Sequence, residues 1–327
     1  MRSTSVVSAA ALCLVSACAD NIPVQPTTAA LSAFSASASA KADDGQVTIV
    51  DPGIANIREQ LGLPQGNHVV ASVELLYDMY AAHDAPATLI LANDRVRLTL
   101  PQWVQNDPRR GGHSGLTWGY LGFNPTGVGF FDPATGGVRA ATPAEVESRV
   151  VEAMSAWQSR GCFNAPLVRR MPNEPMPDMI HVGWVPRTVF PLFQNPGILG
   201  VTITSWYVNN LEEQIPTDID GNGRPDIALT EIVYNAHRVW SNDGPLGTID
   251  LFSVIAHEAG HAFGLNHFGK VFVNRKNVSF NEQGQPVIDI DDIKYAPKAL
   301  MNAVYVTGRG NIMGTDHGGF CSIWGGK

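Results

Sequence analysis

The stretch Leu251-Phe252-Ser253-Val254-Ile255-Ala256-His257-Glu258-Ala259-Gly260-His261-Ala262-Phe263-Gly264-Leu265-Asn266-His267 decides how this chain is read. From Leu251 to Phe263 it is apolar and compatible with a helix. Histidines four apart share one helical face, a turn from each other, so His257 and His261 can reach a single ion. Gly264 follows three residues later and lets the chain leave the helix and turn back, which would bring His267 in as a third ligand. At ordinary residue frequencies a bare His-Glu-x-x-His arises by chance in roughly one chain in a hundred of this length. The added glycine and third histidine lower that to on the order of one in 10⁵. The other reading is a core helix whose histidines are satisfied by hydrogen bonds.

His257-Glu258-x-x-His261-x-x-Gly264-x-x-His267 resembles the zinc-binding pattern of the metzincin clan of metallopeptidases. The resemblance implies three zinc ligands, His257, His261 and His267, with Glu258 as the general base acting on a water held by the metal. Ala299-Leu300-Met301-Asn302-Ala303-Val304-Tyr305 resembles the methionine-containing turn of the matrixin branch. By that likeness Met301 underlies the ligands and Tyr305 walls the specificity pocket; Asn311-Ile312-Met313-Gly314 fits the pattern less well. Leu116-Thr117-Trp118 looks like the first strand of a matrixin catalytic domain, Thr142 to Trp157 its first helix and Asp178 to Val182 the following strand. Asp316 to Gly325 looks like its final helix. The likeness covers residues 112–327 and implies an α+β fold of the zincin type: a twisted mixed sheet with helices, zinc lying between two subdomains.

The chain departs from the pattern in three places. His267 and Met301 are farther apart than in a typical matrixin, which makes residues 268–298 an insertion at the cleft edge. No cysteine lies between residues 19 and 161, so the cysteine switch of vertebrate matrixins is absent. No histidine-rich structural zinc site is found either, and His181 and His237 read as scaffold residues.

Local patterns extend the reading outward. Thr142-Pro143-Ala144-Glu145 predicts a helix start with a capping box and proline at the first helical position. Val146, Val150, Met154 and Trp157 then form one apolar stripe, and Gly161 ends the helix. Strands are expected at Leu116–Phe123, Asp178–Trp184, Ile198–Val208 and Ile227–Tyr234. Upstream, Val69 to Tyr80 reads as helix or strand and Thr88 to Leu100 alternates as a strand does. The loop at Asn106-Asp107-Pro108-Arg109-Arg110-Gly111-Gly112 is where a boundary is placed. Residues 46–111 are then an N-terminal segment, either an inhibitory pro-region or a structural extension.

The chain start has the form of an export signal over residues 1–18, with Arg2 ahead of the small apolar residues Val6 to Ala17. Leu14-Val15-Ser16-Ala17-Cys18 has the form of a bacterial lipobox, with Cys18 lipidated; Ala17-Cys18-Ala19 also fits ordinary signal peptidase. Residues 19–45, rich in Ser and Ala, read as a flexible tether. Of four cysteines, Cys13 leaves with the signal, and in an oxidising compartment Cys162 and Cys321 are expected to pair. The alternative is two buried free thiols.

Asp218-Ile219-Asp220-Gly221-Asn222-Gly223-Arg224-Pro225-Asp226 alternates oxygen-bearing side chains as a short calcium loop does, with Asp218, Asp220, Asn222 and Asp226 as ligands. It lacks the bidentate Glu of an EF-hand, and an Asx-rich turn needing no ion is the other reading. Asp289, Asp291 and Asp292 read as a solvated loop, Asn277 as a silent glycosylation sequon, and His68, His83 and His113 as non-ligands.

With 327 residues and 44% hydrophobic content the chain can bury a sizeable core, which excludes wholesale disorder. A net charge of −8 argues against a nucleic-acid binder, which needs a basic face. The expectation is therefore a zinc-dependent endopeptidase, monomeric and extracytoplasmic, secreted or tied to a membrane only through a lipid on Cys18. Its partner would be a protein or peptide substrate, and calcium a second ion. The competing expectations are a zinc hydrolase of a non-protein amide and a calcium-stabilised surface binding protein without activity.

Overall fold

A computed structural model describes residues 68–78, 88–94, 101–110, 114–123, 128–171, 174, 176–195, 197–242, 248–274, 278–280, 286–288, 293–296, 298–305 and 310–325. The stretches read as signal and tether, with Cys18, lie outside the described residues together with His83, His113, Asn277, Asp289, Asp291 and Asp292, as does the side chain of His68.

In chain order come β1 (His68–Asp78), β2 (Thr88–Asp94), β3 (Leu116–Phe123), β4 (Gly129–Asp132), β5 (Gly137–Ala140) and helix α1 (Pro143–Gln158). Next are β6 (Leu167–Arg170), β7 (Met179–Val185), β8 (Ile198–Tyr207), β9 (Ile227–Asn235), β10 (Val239–Ser241), β11 (Ile249–Asp250) and α2 (Leu251–Ala262). The remainder holds β12 (Gly269–Asn274), β13 (Val278–Phe280), β14 (Pro286–Ile288), β15 (Ile293–Ala296), β16 (Val304–Tyr305) and α3 (Gly314–Trp324). Among the described residues the architecture is mixed α/β, with two mixed sheets, two smaller antiparallel ones and three α-helices, and is compatible with the α+β class. None of the described helices is long and apolar enough to cross a membrane.

The main sheet has seven strands in the order β16-β1-β8-β9-β7-β3-β6. Its centre is parallel, β9 on β7 and β7 on β3, while β8 runs antiparallel to β9. Every residue of β7 is buried, the continuous apolar run of a strand covered on both faces. Helix α1 starts as its sequence predicts: the Thr142 hydroxyl accepts from the Glu145 amide, and the Glu145 carboxylate accepts from the Thr142 amide. Val146, Val150, Ala153, Met154 and Trp157 form its buried stripe against α2. It ends at Gln158, and Gly161 turns the chain away at φ +78°.

A disulfide joins Cys162, just after α1, to Cys321 on α3, with Cα atoms 5.2 Å apart. The bridged positions are 159 residues apart, so loop-closure entropy alone predicts a contribution of about 5 kcal/mol as an upper bound. A Cys162→Ser/Cys321→Ser variant is expected to lose several kcal/mol of this in urea unfolding. Beside the bridge, Trp157, Phe163, Phe263, Phe320 and Trp324 pack ring against ring at centroid distances of 4.8–6.4 Å.

Described strands from before and after the loop at residues 106–112 pair with one another. β1 is hydrogen-bonded between β8 and β16, and β2 pairs with β12, which lies in the stretch read as an insertion. The loop itself contains a short 3-10 turn, Pro108–Arg110, nailed down by ion pairs. The Arg110 guanidinium donates to buried Asp178, which also accepts from the Thr117 amide and hydroxyl.

His181 is fully buried, with Nδ1 2.7 Å from the Tyr234 hydroxyl and Nε2 3.4 Å from the Met154 sulfur. Burial pushes its pKa down to about 3. The unfolded chain protonates this residue near pH 6.5 and the folded chain does not until about pH 3. Its contribution to stability is therefore present above about pH 6.5 and declines as pH falls toward 3, by up to about 1.4 kcal/mol per pH unit. Urea unfolding of wild type and His181→Gln over this range should give a flatter pH profile for the variant.

Candidate metal centre

Helix α2 carries the candidate site, and all twelve of its residues are buried, His257, Glu258 and His261 included. Asp250 caps its start by accepting from the Ser253 amide. Three tryptophans satisfy carbonyls on the helix and at its end: Trp157 donates to Ala256, Trp103 to Ala262 and Trp324 to Phe263. At the C-terminus Gly264 adopts φ +96°, its amide donating to His261 and the Leu265 amide to Gly260. This paired closure is the Schellman motif, which needs a residue free of Cβ strain at that point. It reverses the chain and returns His267 to the helix.

The Nε2 atoms of His257, His261 and His267 converge to 3.0–3.1 Å from one another. Two tautomers follow from the outer contacts. Nδ1 of His257 lies 2.7 Å from the Leu300 carbonyl, and Nδ1 of His261 lies 2.8 Å from that of Leu265. A carbonyl only accepts, so each Nδ1 carries the proton and each Nε2 turns a lone pair inward. Burial, the largest cause, pushes all three imidazoles down, His261 to about 4, which favours their neutral, ligating form. Converging neutral nitrogen donors of this kind fit a divalent transition metal such as zinc.

Glu258 is fully buried on the same helix. Its Oε2 lies 2.6 Å from the hydroxyl of Thr202 on β8, and that hydroxyl is also 3.0 Å from the Glu258 carbonyl. A side chain at Gly200, two residues earlier on β8, would put a Cβ 2.7 Å from Glu258 Oε1. Glycine there leaves the carboxylate its place. Neither Thr202 nor Gly200 was singled out in the sequence, because a lone Thr or Gly in an apolar strand carries no signal of what faces it.

Met301 is fully buried, and its sulfur lies only 2.4 Å from where a Cβ on Gly260 would be. The turn around it is tied by Asp316, whose carboxylate accepts from the amides of Leu300, Met301 and Met313 at 2.6–3.0 Å. Burial raises the Asp316 pKa, and the three amides pull it the other way. Asp316 stands at the third position of α3, a helix-start signal visible in the sequence; its grip on a turn fifteen residues earlier was not. The Tyr305 hydroxyl accepts from the Asp250 amide at the head of α2.

Carboxylate oxygens of Asp218, Asp220 and Asp226 lie within 4.8 Å of one another. Asp226 accepts from Arg109, the Thr217 hydroxyl and the Ile219 amide, and Asp218 from the amides of Asn222 and Gly223. The Asn222 side chain donates to Asp220. These bonds are those of an Asx-rich turn, with Arg109 already countering the most buried charge. His317 lies within ligand distance of Cys162 and Cys321, whose sulfurs are joined to each other. His237 accepts from the Arg187 amide.

Compared with known proteins, the chain matches no family model and no curated sequence.

Proposed function

We propose that this chain is a zinc-dependent endopeptidase of the metzincin type, matrixin-like in its catalytic region. The observation that carries the reading is the convergence of three neutral imidazole nitrogens beside a buried carboxylate on the same helix. The buried methionine beneath that helix, at the position the resemblance assigns to it, adds to the support. His257, His261 and His267 would hold the ion. Zinc bound there would supply Lewis acidity, lowering the pKa of a water toward about 7 and polarising a peptide carbonyl.

The protein's own residues then handle the proton. Glu258 accepts a proton from the attacking water as its oxygen bonds to the carbonyl carbon. It returns that proton to the amine nitrogen as the C–N bond breaks. Thr202 holds the carboxylate through one oxygen, which fixes its orientation without neutralising it. The carbonyls of Leu300 and Leu265 keep the imidazoles of His257 and His261 in the ligating tautomer. Tyr305, pinned at the head of α2, would form part of the pocket wall. Export and a lipid on Cys18 belong to the same proposal.

The test is cleavage of unfolded casein by the full mature chain, with a chelator and after zinc is restored. Hydrolysis that stops with the chelator and returns with zinc is expected. Zinc retained at one equivalent with no cleavage of any peptide would overturn the peptidase reading.

A further inference from the structure

A second cluster of ligating side chains surrounds the disulfide. A ring nitrogen of His317 and the sulfurs of Cys162 and Cys321 lie within 4.8 Å of one another. His317 and Cys321 are four apart in α3, so they share one face of that helix, a turn from each other. Cys162 meets them from the turn after α1, its Cα 5.2 Å from that of Cys321. His317 is exposed and both cysteines are half-buried, so a small reductant and an ion can reach the group from solvent. Inward, Cys162 packs against the apolar core that holds Phe163 and Phe320. The outer contact of His317 sets its tautomer. Its Nε2 lies 2.9 Å from the carbonyl of Arg160, two residues before Cys162. A carbonyl only accepts, so Nε2 carries the proton and Nδ1 keeps the lone pair. A carbonyl behind the imidazole is the support that ligating histidines use, and His257 and His261 have the same one.

We propose that Cys162, Cys321 and His317 form a second transition-metal site, for zinc, once the disulfide is reduced. A dithiol opens the bridge. One of its thiolates attacks a cysteine sulfur, the S–S bond breaks, and its second sulfur then displaces the cysteine from the mixed disulfide. The two electrons and two protons of the dithiol end on Cys162 and Cys321, and the dithiol leaves as a cyclic disulfide. Zinc takes both sulfurs as thiolates and releases those two protons to water. Freed from each other, the sulfurs can part to the roughly 3.8 Å that two thiolates keep around one zinc, with an imidazole nitrogen about 3.6 Å from each. A water completes the tetrahedron. The end of α1 is then tied to α3 by either of two exchangeable clasps, one covalent and one metallic. What they hold bears on the candidate centre, because Asp316, beside His317 in α3, ties the turn of Leu300 and Met301. The site does not depend on the peptidase reading.

Cobalt(II) is the probe, because a thiolate ligand gives it an intense near-ultraviolet charge-transfer band that imidazoles do not. The full mature chain is reduced with dithiothreitol, freed of it in the absence of oxygen, and titrated with cobalt beside the oxidised chain. The oxidised chain should show no thiolate band. The reduced chain should develop one, and zinc should abolish it by displacing the cobalt. Cys162→Ser/Cys321→Ser, treated alike, should show no such band, and reduced His317→Ala should bind this cobalt about tenfold or more weakly. A folded reduced chain without the band, an equal band in Cys162→Ser/Cys321→Ser, or an unchanged affinity in His317→Ala would each overturn the proposal. Far-ultraviolet circular dichroism follows the fold throughout. If the chain unfolds on reduction, cobalt should restore the band and the native spectrum together, at lower concentration in wild type than in His317→Ala. A band without refolding, or neither, would equally remove the site.

Discussion

Glu258→Gln is expected to keep the fold and the metal while turnover falls by about 10²–10⁴-fold, the range a positioned general base contributes. Glutamine has the shape of the carboxylate, so it can keep the contact with Thr202 and the space left by Gly200. It cannot take a proton from water. Background effects are separated by measuring zinc content and casein hydrolysis on the same sample. A variant that binds zinc and cleaves within about tenfold of its parent would remove Glu258 from the role of base. Thr202→Val is the weaker companion: it leaves the carboxylate ionisable but removes the hydroxyl contact, so a smaller loss than that of Glu258→Gln is expected.

Removing a ligand should be felt in stability as well as chemistry. Three imidazole nitrogens converge to within 3.1 Å of one another, two with lone pairs turned inward by carbonyls on their far side. An ion that binds only the folded chain stabilises it by about 4 kcal/mol when present at a thousand times its dissociation constant. Wild type is therefore expected to melt at a lower temperature in a chelator and to recover with zinc. His261→Ala should lose more than about 100-fold in zinc affinity, since even outer partners of a ligand are worth 10–100-fold. Its melting temperature should not respond to zinc. Thermal melts with and without zinc, beside dialysis for bound metal, decide the matter; an equal zinc response in both proteins would show that the three histidines are not the ligands.

The sequence carried further at the centre than at its surroundings. Ligand spacing, the helix over Leu251–Ala262 and the glycine turn at Gly264 are local, set by residues within one or two turns of each other. The capping box at Thr142 and the strands β7, β8 and β9 were legible for the same reason. Val69 to Tyr80 was ambiguous because a short apolar run suits either helix or strand, and only pairing with β8 makes β1 a strand.

By itself, then, the sequence determined which residues could share an ion: periodicity and a glycine place His257, His261 and His267 without reference to anything distant. It also singled out Met301 and the Cys162–Cys321 pair as candidates. Tertiary structure alone decided what surrounds them. Thr202 and Gly200 meet Glu258 across 56 and 58 positions of chain, and Asp316 grips the turn at Met301. Leu76 comes to face Gly200 from more than a hundred residues away, through a strand register that no local pattern encodes. A side chain's partners across a sheet follow from hydrogen-bond register and loop closure, which are properties of the whole folded chain.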